Sequence, residues 1–167
     1  MANQGAPSTR HARFPTEYGE PGDEALPWSF VEERLSAALN YWLASAGPGG
    51  RPHLRPIDGV WVDGALCFGG SPETRWVRNL QANPAASISL PSDKEAIILE
   101  GEVEFVTDSS HPLAEPSTAA SRAKYPQYFT DGTPPFQPFW ALRPRRVFAW
   151  TLEGFPKRAT RWSFEKA

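Results

Sequence analysis

The sequence predicts a mainly β domain with helices at its margins, an α+β architecture built on an antiparallel sheet that closes into a small barrel. Three observations carry this. Short strand-like runs are separated by turn signals, the clearest being Asp63-Gly64 between "VWV" and "ALCF". A type I′ hairpin needs positive φ at both central residues, which Asp-Gly supplies. The run 95–106, "EAIILEGEVEFV", places Leu99, Gly101, Val103 and Phe105 on one face and Glu100, Glu102 and Glu104 on the other, the alternation of a half-buried antiparallel strand. Strands and helices do not alternate along the chain as a parallel α/β sheet requires. Closure of six or seven antiparallel strands then removes their exposed edges.

Taken in order, residues 1–26 are polar and rich in Gly and Pro, and read as a flexible arm, with Phe14 and Tyr18 as possible docking points. "SFVEERLSAALNYW" has helical spacing at Val31, Leu35, Ala38 and Leu39, with Ser29 and Glu32 in a capping-box pattern. Strands follow at about 41–46, at 52–62 with a bend at Gly59, and at "ALCF", a three-stranded meander. In "GGSPETRWVRNL", Ser71 is placed to cap a helix and Pro72 to occupy its first turn, with the helix running to about Gln81. "AASISL" and 95–106 are strands, 117–125 is a short helix, and "FWALRPRRVFAWTL" is a strand interrupted near Arg143-Pro144. "TRWSFE" supplies the last strand. Residues 27–167 therefore form one domain.

Composition narrows the function. The 167 residues suit a single domain that buries roughly 70% of its unfolded surface. The net charge of −2 opposes general attraction to nucleic acid or membranes, and no basic groove with interleaved aromatics is apparent. No apolar run reaches the ~20 residues of a membrane span, and "MANQGAPSTRHARFP" lacks a signal-peptide core. The single cysteine, Cys67, reads as a small buried apolar residue, and a cytoplasmic location is expected. His11, His53 and His111 show no metal spacing, and no GxSxG or triad pattern is present.

The motif that carries chemistry is 69–80. A helix N-terminus offers free N–H groups to an anion, the two glycines let a ligand approach the backbone, Ser71 and Thr74 add hydroxyls, and Arg75 has a fork that matches phosphate. The same residues also read as a capped surface helix with solvated arginines. Arg55 lies on a strand two residues from His53 and so on the same face. It is either an edge-strand arginine reaching outward or a second phosphate ligand. Trp76 either closes the barrel mouth or lies against a cofactor ring, and Trp162, beside Arg161, poses the same choice.

The order "YWLASAGPGGRPHLRPIDGVWVDGALCFGGSPETRWVRNLQANPAASISL", then "ILEGEVEFV", resembles the pyridoxamine 5′-phosphate oxidase-like family of flavin-binding split β-barrels, over about residues 37–107. "TRWSF" looks like actinobacterial members. The resemblance implies a six-stranded split barrel, a homodimer, and a cofactor in the clefts between subunits: FMN first, with the deazaflavin coenzyme F420 or, less often, haem as alternatives. It implies phosphate contacts from Arg55 and from Thr74-Arg75. Two lysines common in the family are replaced here by Trp76 and Val60, and the C-terminal substrate motif of the vitamin-processing oxidase is absent. The function implied is a flavin- or deazaflavin-dependent oxidoreductase in which the cofactor carries the hydride. The alternative is a non-catalytic flavin or haem carrier. Trp61, Val103, Phe148 and Trp150 are the expected apolar faces at a dimer contact, and the segment 107–137 is expected to serve as a lid or as a docking segment.

Overall fold

In the computed structural model, which describes residues 7–22 and 24–164, the chain forms one antiparallel sheet with three α-helices. The strands are β1 (Ser8–His11), β2 (Tyr41–Ala46), β3 (Pro52–Ile57), β4 (Val60–Val62), β5 (Ala65–Phe68), β6 (Ala85–Ser89), β7 (Glu95–Val106), β8 (Phe139–Thr151) and β9 (Thr160–Ser163). The helices are α1 (Trp28–Ala37), α2 (Arg75–Ala82) and α3 (Ala114–Lys124).

The sheet runs β1-β9-β8-β7-β6-β2-β3, and β5, which carries β4, joins the free edge of β8. β8 explains why the barrel is split rather than closed. One of its edges pairs with β7 from Phe139 to Thr151. Its other edge serves two strands: Trp140–Leu142 pair with β5, and Arg146–Ala149 pair with β9. The strands diverge at a bulge in which Arg145 has no counterpart in β7 and the register shifts between Glu100 and Gly101. β8 is therefore continuous and bulged where an interruption was expected. The ladder does not close on itself either, because among the described strands β3 pairs only with β2 and β4 only with β5.

Alternation builds the interior. Tyr41, Leu43 and Ser45 of β2 point inward, and Ile88, Ile97, Leu99, Leu142, Val147 and Trp162 complete the fully enclosed centre. Helix α1 buries Val31 and Leu35 against it, and α2 buries Trp76, Val77 and Leu80. A second, smaller core of Val60, Cys67, Leu113, Tyr125 and Phe139 lies under α3. The Asp63-Gly64 turn has φ 47° and 72°, as the type I′ hairpin requires.

Several local expectations are corrected. The capping box of α1 does not form: Pro27 occupies the N-cap, no side chain caps the helix, and Ser29 is already inside it. Residues 8–11, expected within a flexible arm, form β1 against β9, and Phe14 packs edge-on against Trp150 and Phe155. Residues 1–6 of that arm lie outside the described chain. In β7 the phase shifts near its end, so that Val106 is buried and Phe105 is 49% exposed against the ring of Trp140. The apolar faces expected at a dimer contact are covered in large part by the chain itself. Val103 is buried, Trp61 packs toward Trp28, and Trp150 meets Phe14. The large apolar side chains left open on the sheet, Phe105 apart, are instead Trp42 (39% exposed) and Leu54 (57%). The segment after β7 is docked on its own chain. Tyr125 Oη lies 2.7 Å from the Leu39 carbonyl and 2.8 Å from the Gly59 carbonyl, and it accepts the Gly59 N–H at 3.1 Å.

Candidate functional site

Helix α2 is positioned by two buried or half-buried amides. Asn79 donates through Nδ2 to Ser45 Oγ at 3.2 Å, and Asn83 donates to the Ala46 carbonyl at 3.2 Å. Both contacts lie on β2, so the helix is fixed across the inner face of that strand. Arg75 stands four residues before Asn79 and shares its helix face, one turn toward the N-terminus. Ser45 pairs across the ladder with His53, and Leu43 pairs with Arg55. The clamp at Asn79 thus fixes α2 on β2, the strand that pairs with β3 and so with His53 and Arg55.

The charges of Arg75 and Arg55 act on His53. Its proton affinity is held below the ordinary value of 6.5, first by desolvation and then by the charges of Arg75 and Arg55. Two guanidinium groups from separate elements therefore act on one imidazole. Among the described residues neither arginine has a carboxylate within 4.0 Å, whereas Arg34, Arg145 and Arg146 each do. The Nε2 atom of His53 is enclosed and has no hydrogen-bond partner among the described residues. Concentrated positive charge with an unused ring nitrogen is the donor set of an anion site.

The turn before α2 differs from the expected cap. Ser71 does not cap the helix. It opens a turn in which its carbonyl accepts the Thr74 N–H at 3.0 Å and its hydroxyl accepts the Glu73 N–H at 3.3 Å. Pro72 serves the second position of this turn, where its fixed φ fits as well as it would in a helix. Thr74 becomes the N-cap residue, but its hydroxyl donates to the Ser71 carbonyl at 2.8 Å and not to the helix. The helix N–H groups left free are those of the first turn, at Arg75–Val77. Arg78 reaches back and donates to the Glu73 carbonyl at 2.6 Å, which ties the turn to the helix.

Trp76 closes the mouth of the core. It is buried against Phe68 at 5.8 Å between ring centroids. Its six-membered ring also fills the space beside Gly70, where a Cβ would lie 2.0 Å from Cζ2. The second glycine of "GGSPE" is thus there for the indole and not for a ligand. A Cβ on Gly69 would meet nothing within 4 Å.

Arg161 and Trp162 do not join this cluster. Trp162 is fully enclosed, opposite Val147 and 5.5 Å from the ring of Trp28. It is core, with no face free for a cofactor. Arg161 points to the other side of β9, between Arg10 and Phe148 on the neighbouring strands. In the sheet β9 stands four places from β2. The residues that sequence reasoning missed are Ser45 and Asn79, which position the helix, and His53 as a member of the cluster. The spacing of Arg75 and Asn79 was the available signal.

Glu100, Glu102 and Glu104 face solvent and pair with Arg146, Arg145 and His111 at 3.5, 2.6 and 3.7 Å. Burial pushes the Cys67 thiol up to about 12. Among the described residues no group of three His, Cys, Asp or Glu side chains could hold a metal ion, and no helix is long and apolar enough to cross a membrane.

Comparison with known proteins agrees with this fold. The family model described as pyridoxamine 5′-phosphate oxidase matches residues 29–151. No curated protein matches the chain by sequence. Similar solved structures include a conserved hypothetical protein from Mycobacterium tuberculosis (TM-score 0.62, 19% identity, 77% of this chain and 87% of that one). The haem storage protein HutZ from Vibrio cholerae is similar at TM-score 0.59, with 19% identity over 70% of this chain and 88% of that one. An FAD-binding protein from Mesorhizobium loti is similar at TM-score 0.58, with 18% identity over 83% of this chain and 96% of that one.

Proposed function

The chain belongs to the pyridoxamine 5′-phosphate oxidase family, and from that premise we propose that it binds FMN between two copies of itself and acts as an oxidoreductase. The observation that supports this reading is that Arg55 and Arg75, both without a carboxylate partner among the described residues, each lower the proton affinity of His53, which shares a strand face with Arg55. An uncompensated pair of guanidinium groups fits a phosphate, which accepts forked hydrogen bonds and neutralises both charges. The N–H groups opening α2 point the same way in sign.

Bound flavin supplies the hydride chemistry. The chain's own contribution is binding and orientation. Arg55 on β3 and Arg75 on α2 hold the phosphate from two directions. The Asn79–Ser45 bond keeps them in register. Ser71 retains its hydroxyl proton for a ligand, since the bond recorded at its Oγ is one that it accepts. Thr74 has already committed its proton to the Ser71 carbonyl and contributes through the geometry of the turn.

The variants Arg55→Ala and Arg75→Ala test this. Each lost charge-assisted bond is worth about 1.5–3 kcal/mol, and ~1.4 kcal/mol is tenfold. Fluorescence titration with FMN is expected to show a loss of about tenfold to a hundredfold for each variant, with melting temperatures close to wild type. Parallel titration with the deazaflavin coenzyme decides between the two tricyclic cofactors. Turnover of reduced cofactor with a panel of electron acceptors separates an enzyme from a carrier. Unchanged FMN affinity in both variants would falsify the phosphate site.

A further inference from the structure

We propose that His53 is the third ligand of the anion held by Arg55 and Arg75, and that the anion binds together with a proton taken up by the His53 imidazole. This rests on the phosphate reading above and deepens it: the site would recognise a phosphate and a proton as a pair.

The placement comes first. β3 sets His53 and Arg55 on one face, and the Asn79 clamp fixes the helix that carries Arg75 to Ser45, the residue opposite His53. Nε2 of His53 is enclosed but bonds to nothing described. A covered ring nitrogen without a partner is uncommon, because leaving it unpaired costs more than a hydrogen bond returns. The charged groups that act on it are Arg75 from α2 and Arg55 from its own strand, while Ser45 of β2 lies opposite it and Asn79 is engaged by Ser45. Both charged groups are donors, so neither can accept from the ring once it is protonated. No carboxylate acts on it.

The consequence has a definite sign. In the free protein desolvation, and after it the two arginines, favour the neutral ring. Folding therefore loses stability as pH falls through the ordinary histidine value of 6.5, where the unfolded chain takes the proton more readily. A bound dianion reverses this. It offsets both arginines, gives Nε2 an acceptor, and raises the proton affinity of the ring. The solvent supplies the proton, which resides on His53 for as long as the anion is bound. Affinity should then rise as pH falls across the interval between the free and bound pKa values, by at most tenfold per pH unit for one proton.

The test compares wild type with His53→Gln, which keeps a polar side chain and does not titrate. FMN affinity is measured from about pH 8 to about pH 5, the range of histidine titration. The phosphate monoester has its own pKa near ~6, which affects both proteins alike. The ratio of wild-type to variant affinity is expected to grow by about tenfold as pH falls, with riboflavin, which lacks the phosphate, showing no such growth. A second arm uses sulfate, whose charge is constant over this range. The His53 ring C–H resonances, assigned by their absence in His53→Gln, should titrate about one unit higher in sulfate than in chloride of equal ionic strength. A flat affinity ratio, or identical titration in sulfate and chloride, overturns the role of His53. If Arg55→Ala and Arg75→Ala still weaken FMN binding in that case, the phosphate site itself stands.

Discussion

At the scale of single residues, the two glycines of "GGSPE" separate packing from ligand access. Gly70 exists because Trp76 occupies the volume its side chain would need. Gly70→Ala must displace the indole and is expected to lower stability by about 1–3 kcal/mol, the usual range for overpacking. Gly69→Ala meets nothing and should fall within ~0.5 kcal/mol of wild type. Urea denaturation of the two variants checks the contrast, and equal midpoints would show that Trp76 moves without cost. Trp76 itself turns inward to cap the core, so the basic groups of the proposed site are Arg55, Arg75 and His53.

At the scale of elements, small polar bonds decide where helices sit. Two asparagines attach α2 to β2, and one tyrosine attaches the end of α3 to the chain around Gly59. Tyr125 Oη can donate to only one of its two carbonyl neighbours while it accepts the Gly59 N–H. Lys124 Nζ supports the same place, donating to the Gly59 carbonyl and to Tyr41 Oη at 3.2 Å each. Tyr125→Phe keeps the ring but leaves the buried Gly59 N–H unpaired. A loss of about 1–3 kcal/mol is expected in chemical denaturation. Faster hydrogen exchange at Gly59 should accompany it. An unchanged exchange rate at Gly59 would mean that β4 does not depend on this contact.

At the scale of the whole molecule, β3 is one edge of the described sheet, and it carries His53 and Arg55 on one face and apolar side chains on the other. Its outward residues Pro52, Leu54 and Pro56 lie opposite Ala46, Ala44 and Trp42 of β2, a connected apolar surface. Open edges and apolar patches of this kind are normally covered. The proposed homodimer would cover this one and bring a second chain beside Arg55. Sedimentation at micromolar concentration is expected to show a species of twice 18.5 kDa, and Leu54→Arg should shift it toward monomer. A wild-type protein that sediments only as monomer removes both the dimer and an inter-subunit cofactor cleft.

Local chemistry was enough to read much of this protein. The Asp63-Gly64 hairpin, the alternation along most of 95–106 and the mainly antiparallel sheet follow from spacing of two residues and from turn residues with special φ, whereas the pairing of Arg55 with Arg75 came from the family resemblance. What only the tertiary structure decided depends on atoms far apart in sequence. Ser71 could open either a helix or a turn, and its hydroxyl chose the nearby Glu73 N–H. Trp76 and Trp162 offered flat rings to anything, and packing against Phe68 and Trp28 claimed them. Trp150 looked like an uncovered face until the N-terminal segment was in place, and Val103 until the core closed over it. His53 became more than a strand residue once α2 was fixed across β2, because burial and electrostatic potential are sums over the whole fold, whereas periodicity is a property of neighbours along the chain.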